Sequence, residues 1–92
     1  MKYMIIGSVK EPYDENYAKV LEIEKKRLEK KEAFSLQNKM LTKMYVSMGS
    51  PSWTYWVVDC EPEDIVKWSK VYAEVMIAEV IPVITRDEWA KL

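Results

Sequence analysis

Residues 53–60, Trp-Thr-Tyr-Trp-Val-Val-Asp-Cys, carry apolar side chains at odd and at even positions. The run is aromatic and β-branched, which suits a strand. A strand with one face in water alternates apolar and polar residues. Here Trp53, Tyr55 and Val57 alternate instead with Trp56 and Val58. Two further segments repeat the pattern. In residues 2–9, Tyr3, Ile5 and Val9 alternate with Met4 and Ile6, and in residues 76–84, Ile77, Ile81 and Val83 alternate with Met76, Val80 and Ile84. A fourth strand is predicted over residues 40–48, before the turn Gly49-Ser50-Pro51-Ser52. Lys43 in that strand suits a sheet edge. So does Pro82 in the last one, because proline donates no ladder hydrogen bond.

Between these strands lie helical patterns. Over residues 14–33, Asp14 is a good N-cap, and Tyr17, Val20, Leu21 and Leu28 form an apolar stripe flanked by Ile23. Glu15–Lys19 and Glu22–Lys26 are i,i+4 pairs in the favoured order. The end of this helix is blurred between Ala33 and Asn38. A second helix is predicted over residues 63–75, with Pro62 at its start and Ile65, Trp68, Tyr72 and Val75 at helical spacing. Thr85-Arg86-Asp87-Glu88 is a capping box and predicts a short terminal helix carrying Trp89 and Leu92. The order β-α-β-β-α-β predicts a single α+β domain over residues 1–92. Its expected form is a ferredoxin-like two-layer sandwich, with an antiparallel sheet whose first and third strands are central.

Right-handed crossovers would place both long helices on one face of that sheet. The other face, equally apolar, needs cover. The expected cover is a second copy across a two-fold axis, giving a homodimer through the sheet face. The alternative is the segment 85–92 folded back, but eight residues cover little of a sheet whose strands lie about 4.8 Å apart. A chain of 92 residues buries only about 60–65% of its unfolded surface, so further burial matters.

The composition narrows the function. With 49% hydrophobic and 32% charged residues the chain is globular rather than disordered. A net charge of −1 gives no general attraction to nucleic acid or anionic lipid. The single cysteine, Cys60, excludes an intramolecular disulfide. There is no histidine, which removes Ser-His-Asp and Cys-His chemistry and makes a zinc site unexpected. No signal peptide and no membrane span are expected, so a cytoplasmic protein is. The glycines, Gly7 and Gly49, form no phosphate loop.

Trp53 to Asp59, Glu63 to Trp68, and Glu79-Val-Ile-Pro-Val-Ile-Thr85-Arg-Asp-Glu88 together resemble the small dimeric α/β-barrel proteins. The likeness is greatest to an uncharacterised domain-of-unknown-function family. Its members share a strand ending in an acidic residue, a helix with a tryptophan and a Glu-x-x-Pro-Val closing strand. The likeness covers residues 53–88 and reaches the first strand. It implies a dimeric α/β barrel. The wider superfamily includes cofactor-independent monooxygenases, lactone isomerases, haem-degrading enzymes and ligand-sensing regulatory domains. The haem-degrading and many of the isomerase versions lean on histidine, which this chain lacks. None of the shared elements is a catalytic signature.

Glu79 interrupts an apolar strand, in phase with Ile77 and Ile81. It reads either as a polar anchor or general base in an apolar pocket, or as a structural ion pair or an exposed edge residue. Tyr3, Tyr55, Trp56, Trp68 and Tyr72 read either as the lining of a ligand pocket or as core and interface packing. Cys60, near a helix N-terminus, is a reactive thiol or a small buried residue. The run Lys25-Lys26-Arg27, Lys30-Lys31, with Lys39 and Lys43, is an RNA-contacting surface or, given the interleaved Glu22, Glu24, Glu29 and Glu32, a solvated helix face. The expected ligand-binding residues are Tyr3, Tyr55, Trp68, Tyr72 and Glu79, around a small apolar molecule, with no cofactor and no metal. The expected partners are a second copy and that ligand, rather than nucleic acid or a membrane. Cofactor-independent chemistry on the ligand fits this composition. A non-enzymatic interaction or regulatory dimer is the alternative, and an RNA-binding module a weaker one.

Overall fold

The computed structural model describes residues 1–29, 34–49 and 51–92. β1 (Lys2–Val9) is flanked by β3 (Thr54–Asp59) and β4 (Met76–Val83), and β2 (Tyr45–Val46) pairs with β3. The four-stranded sheet has the order β2-β3-β1-β4, with every pair antiparallel. This is the expected placement of central and edge strands, with Pro82 on edge strand β4 opposite Tyr3. Three helices complete the α+β architecture: α1 (Tyr13–Leu28), α2 (Pro62–Tyr72) and α3 (Arg86–Ala90). This arrangement is compatible with a two-layer sandwich.

The short β2 corrects the strand expected over residues 40–48. Met40 bridges Val58, and Tyr45 pairs with Tyr55. The four residues 41–44 therefore oppose only Trp56 and Val57, a bulge of two residues. Two bonds stitch the bulge to β3. The Leu41 N–H donates to the Val57 carbonyl (2.8 Å), and Thr42 Oγ1 accepts from the Val57 N–H (3.0 Å), where a regular partner would offer a carbonyl.

α1 begins one residue earlier than expected, so Asp14 lies within the first turn and the N-cap position falls to Pro12, which offers no side-chain cap. The buried Asn16 donates from Nδ2 to the Lys10 carbonyl (3.0 Å) and ties the helix start to the end of β1. The expected continuation to residue 33 lies outside the described residues beyond Glu29, as does Ser50 of the expected turn. α2 carries a capping box between Glu61 and Asp64 and ends at Tyr72, so Val75 is buried beyond the helix rather than within it. The Thr85–Glu88 capping box forms as expected, with the Glu88 N–H donating to Thr85 Oγ1 (3.1 Å) and the Thr85 N–H to Glu88 Oε1 (3.2 Å).

The core lies on one face of the sheet. Ile5, Val58 and Leu36 are its fully buried residues, joined by Tyr3, Trp56, Cys60 and Trp68. The Trp56 and Trp68 rings meet edge to face with centroids 5.9 Å apart, a favoured aromatic geometry. Leu36 comes from the connection between α1 and a single 3-10 turn at Gln37–Lys39. That segment, whose start was blurred in the sequence, is thereby part of the core. Of the α1 stripe only Val20 is buried, while Tyr17, Leu21 and Leu28 stay exposed.

Replacing Leu36 by alanine should leave a cavity and destabilise the fold by about 2–5 kcal/mol. Urea unfolding is expected to show a lower midpoint with an unchanged slope. A loss below about 0.5 kcal/mol would mean that residues 34–36 are only a surface connection.

Candidate functional site

α1 stands off the sheet and leaves a cleft of about 550 Å³. Its floor is the helix-side face of β1 and β3, including Ile5, Gly7 and Trp56. Trp68, Tyr72 and Leu36 form an apolar side. Tyr17, Val20, Glu24 and Arg27 line the opposite side. They recur at the three- and four-residue spacing that puts them on one helix face. The bulge supplies Lys43 and Met44. The volume falls within the roughly 300–1,000 Å³ typical of small-molecule sites.

Gly7 keeps the floor low. A Cβ there would meet Met76 Cε at 3.1 Å and Thr54 Oγ1 at 3.4 Å. The Trp68 and Tyr72 rings lie 5.4 Å apart, tilted by 41°. Burial pushes the Tyr72 phenol above its usual value of 10.0; the Glu24 carboxylate adds to the rise and the Arg27 guanidinium opposes it. Tyr72 is thus a neutral phenol, a possible donor, among charged neighbours. Arg27 donates from Nη1 to Oε1 of Gln37. Among the described residues no carboxylate lies within ion-pair distance of Arg27 or Lys43.

The expected ligand residues divide between the two faces of the sheet. Trp68 and Tyr72 line the cleft. Tyr3 is buried in the core, its hydroxyl directed to Met1 Sδ at 3.4 Å. Tyr55 and Glu79 lie on the opposite face, both in register with Ile6, while Tyr45 extends the same rung from β2. Glu79 is exposed and does not meet Trp68 and Tyr72 in one cavity. On the next rung Val57, Met4 and Ile81 lie side by side. The terminal segment leaves this face open. Lys2 Nζ holds Glu88 Oε1 at 3.0 Å at the end of the sheet, while Tyr45 (63%), Ile77 (52%) and Ile81 (41%) remain exposed.

Arg27, Glu24 and Lys43 belong to the cleft, although their charge pattern reads as solvated surface. Lys39 of the expected basic run pairs with Asp64 (3.2 Å), and Lys30 and Lys31 of that run lie outside the described residues. Cys60 is buried, and burial, seconded by Asp64, raises its thiol above the usual 9.0. That environment makes it an inert core residue rather than a nucleophile. Among the described residues no three His, Cys, Asp or Glu side chains are grouped to hold a metal ion. No helix among them is long and apolar enough to cross a membrane. Comparison with family models, with curated proteins and with solved structures gives no match for this chain.

The raised Tyr72 pKa links stability to pH. The folded state holds this proton more tightly than the unfolded chain does. Its contribution is therefore complete below about pH 10 and is lost as pH rises through the folded value. Cys60 acts in the same sense from about 9.0, so the comparison belongs in a Cys60→Ala background. There the urea midpoint should fall above pH 10, and fall less when Tyr72→Phe is added. An identical fall in both proteins would remove Tyr72 from the buried side of the cleft.

Proposed function

We propose that this chain is a ferredoxin-like domain that pairs with a second copy through its open sheet face and binds a small, largely apolar molecule in the cleft on the other face. The binding reading is carried by one observation: a cleft of about 550 Å³ with Trp56, Trp68 and Tyr72 against it. Aromatic and aliphatic walls with few polar groups are what small-molecule sites offer. The topology is supported by the strand order β2-β3-β1-β4, with one helix following β1 and another following β3. The likeness to dimeric α/β-barrel proteins over residues 53–88 points the same way. The dimer is supported by two rungs of the open face, the apolar Val57–Met4–Ile81 and Tyr45–Tyr55–Ile6, the latter ending in Glu79 on the edge strand. In an isologous interface the same patch is used by both copies.

Native mass spectrometry of freshly purified protein tests both parts. The expected spectrum is a dimer, with additional mass released on denaturation. A neutral polarity-sensitive dye, Nile red, should bind saturably and should lose that binding in Val20→Trp, whose indole fills the cleft. Equal dye binding in the two proteins would exclude the cleft as its site.

The assembly has its own variant. Ile81→Glu places a second carboxylate beside Glu79 on the open face, where an interface over the Val57–Met4–Ile81 rung would have to desolvate it. Sedimentation equilibrium should show dimerisation weakened by on the order of a hundredfold, about 2.7 kcal/mol. The far-ultraviolet circular dichroism should stay unchanged. A monomeric parent protein would overturn the dimer, and a variant that dimerises as well as the parent would move the interface elsewhere.

A further inference from the structure

We propose that the ligand of the cleft is an amphipathic carboxylate, an aromatic or aliphatic acid whose apolar body lies against Trp56 and Trp68 and whose carboxylate meets Arg27 and Lys43. This rests on the reading of the cleft as a small-molecule site. Two cations reach the cleft from separate parts of the chain, Arg27 from α1 and Lys43 from the bulge between Met40 and Tyr45. Neither is within ion-pair distance of a carboxylate among the described residues.

The neutral amide oxygen of Gln37 accepts from one guanidinium nitrogen, Nη1 of Arg27. A guanidinium has five N–H donors in a planar fork that matches a carboxylate. An apolar occupant without charge would expel water from the half-buried Arg27 and offer nothing in return, which is unfavourable. An occupant with an anionic end compensates it and attracts the exposed Lys43 as well.

Glu24 decides which anion. It lies on the same helix face as Arg27, so among the described residues the walls carry two cations against one carboxylate. That balance favours a monoanion, since the repulsion from Glu24 grows with the charge of the ligand. A carboxylate therefore fits better than a phosphate monoester. The Tyr72 phenol, kept protonated by its burial, adds a neutral donor on the other side of the cleft.

Naphthoate and its neutral isostere naphthamide separate the two levels of the proposal. Isothermal titration calorimetry on the full chain at low salt should show naphthoate binding about tenfold more tightly than naphthamide, about 1.4 kcal/mol. Arg27→Gln should remove most of that preference and leave naphthamide unchanged. Lys43→Gln should weaken naphthoate about threefold. Should Arg27→Gln fail to fold, the acid-to-amide ratio of the parent protein and of Lys43→Gln decides the question.

Equal affinities for acid and amide, both abolished by Val20→Trp, would overturn the carboxylate and keep the cleft as an apolar site. Binding of neither probe, or binding indifferent to Val20→Trp, would overturn the cleft reading together with the carboxylate. Tighter binding of naphthyl phosphate than of naphthoate would overturn the choice of a monoanion.

Discussion

The arrangement rests on a sheet whose strands are apolar on both sides while its long helices lie over only one of them. On β1, Tyr3 and Ile5 point into the core, whereas Met4 and Ile6 point away from it. On β3, Trp56 and Val58 are buried, while Tyr55 and Val57 lie on the other side. Among the described residues of the chain no further layer covers the second face. Its last helix is held at the end of the sheet by the Lys2–Glu88 pair and carries Trp89 in solvent, 64% exposed. An exposed ion pair of this type contributes little stability. It locates the terminus without covering the rungs that pass through Ile6 and Met4.

On the helix side the same sheet supports unequal packing. Trp56, Trp68 and Leu36 fill the region beneath α2 and the connection at residues 34–36. Beneath α1 the floor falls to Gly7, which has no side chain to rise toward the helix. The helix answers with Val20 as its only buried apolar residue. Bulky aromatics hold the layers apart on one side, glycine leaves the other side unfilled, and the cleft is the space between. Its apolar walls and its polar rim thus follow from one stretch of packing. Arg27 and Glu24 continue along the same helix face that carries Tyr17 and Val20.

The doubled apolar pattern of residues 2–9, 53–60 and 76–84 made the strands legible, since no helix or loop needs it. Pro82 and the Thr85–Glu88 box were equally direct, each acting through a local hydrogen-bonding requirement. Residues 40–48 were not, because an apolar run says nothing of a bulge. The slip between the Met40–Val58 and Tyr45–Tyr55 pairings depends on Thr42 replacing a backbone partner. Glu79 illustrates a second limit. Alternation assigns a residue to a face only when the faces differ, and here they do not. Trp68 and Tyr72 line the cleft on the helix side of the sheet. Their companions Arg27 and Glu24 were hidden, because helical spacing of opposite charges is also the signature of a solvated surface.

The aromatic and charged groups that face the cleft meet a ligand through shape and charge. General acid–base catalysis works best when the pKa lies near the working pH. The Tyr72 phenol is pushed away from neutrality by its burial and by Glu24. A guanidinium does not give up its proton in proteins. The chain contains no histidine to bridge the interval, and its one thiol is buried in the core with its proton retained. The cleft thus offers two cations beside one carboxylate among the described residues, a neutral donor and an aromatic floor. Those parts discriminate among ligands by shape and charge, which is the recognition we propose for it.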